Sequence, residues 1–160
     1  AEFTAQGRLA VAADGQGFQA QLHWLQQGDT AEVSLQGPLG VGGVHLRLIG
    51  ERLQLRLSDG RQVAGDAALA ELERRVGAAL PLAALRYWLL GVPQPGAPAF
   101  EELLDRHSGK RPLPAQLAAL EQYGWRASYP PHAGLPRQLR LEGGSAIVRV
   151  AIDHWRWRAR

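Results

Sequence analysis

At 160 residues the chain has the length of one domain, 1–160, able to bury a core, and its 46% hydrophobic content with mixed charge marks a folded protein. The formal charge of +3 comes from 18 basic residues against 15 acidic ones, scattered except for Arg156, Arg158 and Arg160, which is too sparse for a nucleic-acid-binding face. The absence of Cys excludes disulfides, thiol catalysis and thiolate metal sites within these residues, and no apolar run approaches the roughly 20 residues of a membrane-spanning helix. A chain without Met has a processed or trimmed start, so the absence of a signal segment says nothing about export.

The first 65 residues or so read as antiparallel strands. Phe3, Ala5, Gly7, Leu9 and Val11 alternate with Thr4, Gln6, Arg8 and Ala10, the period of a strand wet on one side. Asp14-Gly15 supplies a turn. Phe18, Ala20, Leu22 and Trp24 repeat the alternation, and so do Val33 with Leu35, Val44 with Leu46 and Leu48, and Leu53 with Leu55 and Leu57. With a short strand over 61–65, the tight turns between these runs predict a meander of five or six strands. The loop Gly37-Pro38-Leu39-Gly40-Val41-Gly42-Gly43 stands apart, because it carries an apolar tip between Pro and Gly. Its Leu39 either inserts into a membrane interface or folds back into the core.

The period then changes. Asp66 reads as a helix N-cap, and Leu69, Leu72, Val76 and Leu80 recur at helical spacing. Pro81 ends that helix and opens a second, with Leu82, Leu85, Tyr87, Trp88, Leu89 and Leu90 on nearly every side, closed by Gly91 and Pro93. A short helix apolar all round needs cover on more than one face. A Pro/Gly loop follows over 94–99. Residues 100–106 suit helix or strand, Pro112 and Pro114 read as an interruption, and 117–123 favours helix by propensity. A strand over 125–129, a proline-rich loop, and a hairpin pairing 138–141 with 146–152 complete the chain, which ends on alternating His154, Trp155, Arg156, Trp157 and Arg158.

No catalytic constellation emerges. His23, His45, His107, His132 and His154 are dispersed without metal-ligand spacing, and the glycines of 40–43 lack the Lys-Ser/Thr of a phosphate loop. The reading is of a non-enzyme without cofactor or metal. A curved sheet with one apolar face and apolar mid-chain helices packs as a sheet with a helical plug or lid, around either a filled core or a cavity.

Gly7-Arg8-Leu9-Ala10-Val11, Trp24, Pro38-Leu39-Gly40, Asp59-Gly60, Leu80-Pro81-Leu82, Leu85 with Trp88-Leu89, Gly91-Val92-Pro93, Gln122-Tyr123-Gly124-Trp125, Tyr129 and Ile152 with Trp155 stand in an ordered series along nearly the whole chain. In this order they resemble the LolB family of outer-membrane lipoprotein receptors. The resemblance implies an α+β protein: an open antiparallel β half-barrel with an α-helical lid over an apolar cavity. It favours strand for 117–122 against local propensity. It implies that lipoproteins arrive from the carrier LolA, that their acyl chains enter the cavity, and that they pass into the inner leaflet of the outer membrane. It implies a monomer, anchored on the periplasmic face through an N-terminal lipidated Cys that this sequence does not contain. The membrane-delivery loop would be Pro38, Leu39 and Gly40. Strand parity and the apolar helix nominate Trp24, Leu35, Leu46, Leu55, Leu85, Trp88, Leu89, Tyr129 and Leu141 as lining the cavity or lid. A LolA-like carrier and a lipocalin-like binder of small apolar ligands remain alternatives.

Overall fold

The computed structural model describes residues 2–37 and 42–158. Six strands come first: β1 (Glu2–Ala13), β2 (Gln16–Gln27), β3 (Thr30–Gln36), β4 (Val44–Ile49), β5 (Arg52–Leu57) and β6 (Gln62–Ala64). Two helices follow, α1 (Asp66–Val76) and α2 (Leu82–Trp88). Five strands close the chain: β7 (Phe100–Ser108), β8 (Arg111–Gln122), β9 (Trp125–Ser128), β10 (Gln138–Gly143) and β11 (Ala146–Arg158). All eleven join one sheet in the order β6-β5-β4-β3-β2-β1-β11-β10-β9-β8-β7. The first and last strands pair at its centre, and the chain meanders outward to an edge on either side.

This order decides where the helices go. The two edges are β6 and β7, and the segment joining them, residues 65–99, carries both helices. That segment must cross the open side of the sheet, so the helices lie over its apolar face, and α1 packs on β5 and β6. The alternation read along β1 to β5 is borne out: Phe3, Leu9, Leu22, Trp24, Val33, Leu46 and Leu55 face inward and are buried, with polar neighbours outward.

Curvature has a local source at the centre. Gln6 pairs with His154 but Gly7 pairs with Ile152, so Asp153 is an extra residue in β11, a bulge that bends the pair. Gly7 is required there, because a Cβ would overlap the Ala151 carbonyl.

Several local expectations change. The N-cap of α1 is Gly65 at a φ of 64°, not Asp66, which is the first helical residue and complements the helix dipole. The helix stops at Gly77 in the left-handed conformation, before Leu80, and Leu69 faces solvent while Ala68 takes the buried position. Pro112 and Pro114 do not interrupt: β8 runs through them. Its other neighbour, β9, pairs only with Ala119–Gln122, so the prolines sit where one side of β8 is free. Pro114 also falls within a register shift against β7. A missing N–H costs little at a free edge or a bulge. Residues 117–122 are strand, with Ala119, Leu120 and Gln122 buried, so tertiary pairing overrides their helix propensity.

Candidate functional site

The space between the sheet and α2 is the candidate site. Trp24, Leu35, Leu46 and Leu55 enter it from β2 to β5. Leu85, Trp88 and Leu89 enter from α2 and its C-cap. Tyr129 and Leu141 enter from the far side of the sheet. The structure gathers all nine into one buried cluster. Trp24 and Trp88 are fully buried.

Helix α2 is fastened on both sides. Toward β8 and β9, the Trp88 indole N–H donates to Gln122 Oε1 at 2.9 Å, and the Tyr129 hydroxyl donates to the Trp88 carbonyl at 2.5 Å. The buried Gln122 amide also accepts from the Gln94 N–H at 2.9 Å and donates to the Gln94 and Ala97 carbonyls at 2.9 and 3.3 Å. Burial pushes the Tyr129 phenol far above its ordinary range, so it stays a donor. Toward β2 to β5, the Arg86 guanidinium donates to the Asp29 carbonyl at 2.9 Å and the Gly50 carbonyl at 2.8 Å, the turns that follow β2 and β4. Arg86 is buried, desolvation lowers its affinity for its proton, and its Nε has no partner. Nearby, the Trp24 indole donates to Gln26 Oε1 at 3.0 Å, and Gln26 Nε2 donates to the Gly28 carbonyl at 2.8 Å.

None of the nine lines the opening found at this site. That opening is a cleft of about 270 Å³ between the β4–β5 hairpin (Leu48, Leu53) and the start of α2 (Leu80, Leu82, Ala84), flanked by the exposed Leu69 and Tyr123. A larger groove of about 650 Å³ belongs to the outer face. Its inward-pointing neighbours, Leu9, Ala20, Leu139 and Val150, are already buried, so the space lies among Arg8, Gln19, Gln21, Gln138, Arg140 and Arg149.

The family of outer membrane lipoprotein LolB matches residues 1–155. The chain belongs to the LolB family. It is 34% identical over 154 residues to the outer-membrane lipoprotein LolB of Nitrosococcus oceani, covering 93% of this chain and 73% of the relative. It is 34% identical over 164 residues to that of Halorhodospira halophila, covering 96% and 75%. Among solved structures, a LolA superfamily protein from Nitrosomonas europaea superposes with a TM-score of 0.58 at 10% identity, over 99% of this chain and 87% of that one. That likeness shows the fold: an open antiparallel half-barrel with helices over its apolar face, as the resemblance implied.

Within this LolB-family chain, Pro38, Leu39 and Gly40 lie outside the described residues. Among the described residues, no group of three or more His, Cys, Asp or Glu able to hold a metal occurs, and no helix is long and apolar enough to cross a membrane. Arg86, Gln26 and Gln122 were missed by the sequence reading. Each had a signal: Gln26 and Gln122 continue buried parity after Trp24 and Leu120, and Arg86 is the charge within an otherwise apolar helix. A polar group in such a place needs hydrogen-bond partners.

Proposed function

We propose that the chain receives lipoproteins at the periplasmic face of the outer membrane, holds their acyl chains between the sheet and α2, and releases them into the inner leaflet. The observation that carries this reading is the crossing of the apolar face by the segment between the two sheet edges, which brings an apolar helix onto the open side. Acyl chains would pack against Trp24, Leu35, Leu46, Leu55, Leu85, Trp88, Leu89, Tyr129 and Leu141. Burial stabilises them by about 0.8 kcal/mol per CH₂ without directed contacts, which suits a receptor for many cargoes. Handover needs no covalent step, so the protein works as a monomeric binding protein and not as an enzyme. The donor is the carrier LolA, and an N-terminal lipid anchor holds the receptor at its membrane.

The test mixes the protein with a loaded carrier and follows the lipoprotein. Transfer of the lipoprotein to this chain, and then to vesicles, is expected; retention on the carrier overturns the reading. Delivery is assigned to Leu39 by family resemblance. Leu39→Asp should therefore accept lipoprotein normally and deliver it poorly, and a variant that fails to accept would place Leu39 in the cavity instead.

A further inference from the structure

The two fastenings of α2 differ in kind. On the β8–β9 side, five hydrogen bonds join neutral groups, and they tie down both Trp88 and the segment after the helix. Lifting α2 there would expose two aromatic side chains and leave the Gln122 amide unpaired in an apolar setting. On the β2–β5 side one side chain holds the helix to the sheet turns. It is a buried cation that meets two neutral carbonyls, leaves Nε without a partner, and forms no ion pair among the described residues. A guanidinium has five N–H donors, and water would serve all of them. Releasing Arg86 restores its hydration and offsets the two bonds broken. Releasing Trp88 and Tyr129 gains nothing comparable.

A separate observation points to the same seam. The apolar cleft of about 270 Å³ already parts the start of α2 from the β4–β5 hairpin, lined by Leu48 and Leu53 on one wall and Leu82, Ala83 and Ala84 on the other. Its lining includes Glu51, the next residue after Gly50, whose carbonyl Arg86 holds. At about 270 Å³ this cleft is narrow, and spreading the seam would widen it into the buried cluster behind α2.

We propose that α2 is a gate with a fixed hinge and a releasable latch: it pivots on Trp88, Gln122 and Tyr129, and Arg86 is the positioning residue that holds it shut against the Asp29 and Gly50 turns. This rests on the acyl-chain reading for its cargo, but the motion does not depend on it. Apolar chains enter on the Arg86 side, spreading α2 from the β4–β5 hairpin, while the β8–β9 limb keeps its contacts.

The experiment compares Arg86→Met, Arg86→Lys and Gln122→Leu with the parent by hydrogen exchange and by fluorescence of the apolar dye ANS. Arg86→Met should speed exchange over residues 80–88 at least tenfold, raise ANS fluorescence severalfold, and leave exchange in β8, β9 and the β1–β11 pair unchanged. Arg86→Lys keeps one donor head and should fall between it and the parent. Gln122→Leu should loosen residues 88–99 together with β8, without the selective rise over 80–86. If Arg86→Met exchanges no faster than the parent in α2, or loosens α2 and β8–β9 together, the latch is overturned; unfolding of Arg86→Met with full protection in Arg86→Lys would also overturn it, by making Arg86 structural. Binding of a synthetic diacylated peptide separates the two readings: an Arg86→Met protein that opens selectively yet takes no peptide supports the gate and overturns the acyl-chain reading.

Discussion

At the residue scale, Gly7 shows how much of the bend in the sheet depends on one missing side chain. The alternation of β1 places Gly7 among inward residues, and by parity alone Ala or Val would serve as well. What excludes them is the bulge at Asp153, which draws the Ala151 carbonyl onto Gly7, and a bulge in the partner strand leaves no trace in the alternation of β1. Gly7→Ala must push β11 away, an overpacking that costs about 1–3 kcal/mol. Urea denaturation should show a lower midpoint with an unchanged slope, whereas a substitution tolerated within 0.5 kcal/mol would mean that the bulge relaxes freely. Legibility at this scale followed the same division. All nine residues nominated by parity and by the apolar helix fell into one cluster, because burial follows period. Whether the cluster encloses a void was not legible, since a filled core and a cavity wall have the same pattern.

Elements were legible where period and breakers agreed, and misread where a neighbour decided. The hairpins of β1 to β5 follow from alternation and turn residues. Residues 117–122 are helix formers by composition, yet β7 and β9 on either side claim their backbone groups as strand. Resemblance to a family, not propensity, supplied that assignment. Helix α1 was placed correctly in the middle and wrongly at both ends, because Gly65 and Gly77 cap it through their backbones, at φ of 64° and 91°. A backbone cap has no side-chain signature beyond the glycine itself. Its importance is testable. The Gly77 N–H bonds the Glu73 carbonyl at 2.8 Å, closing the last turn. Alanine at a left-handed position costs roughly 1–2 kcal/mol, so Gly77→Ala should lower stability by about that much, while Leu69→Ala, at an exposed site, should change it by less than about 0.5 kcal/mol. A Leu69→Ala loss as large as that would show that Leu69 packs in solution, and a Gly77→Ala loss below about 0.5 kcal/mol would show that the cap is dispensable.

At the scale of the whole molecule, the sheet is continuous at its centre and open at its margins, and its responsive charges lie toward those margins. Three carboxylates are held more acidic than their ordinary values. Asp59, in the turn before β6, is bonded by the backbone and side chain of Arg61. Glu71 of α1 is bonded by Arg74 and Arg75. Glu102 of edge strand β7 is bonded by Arg126 of β9, which reaches across β8 at 2.9 Å and also meets Glu121 at 3.2 Å. Because the folded state is the more acidic one, these groups contribute stability that is complete above their ordinary values, 3.8 for Asp and 4.5 for Glu, and is lost as pH falls through and below them. Asp59 and Glu102 are exposed and Glu71 is half-buried beneath its two arginines, so the first two contributions are small and screened by salt and that of Glu71 is screened less. Acid should therefore loosen the two margins before the centre. Hydrogen exchange, corrected for its intrinsic pH dependence, should rise in β6, α1 and β7 between about pH 4.5 and 3 while the β1–β11 pair stays protected. Arg126→Gln should bring the β7 response to neutral pH and leave α1 as it was. Simultaneous loss of protection in centre and margins, or a β7 response indifferent to Arg126, would show that the sheet unfolds as one unit and that its open edges are no weaker than its middle.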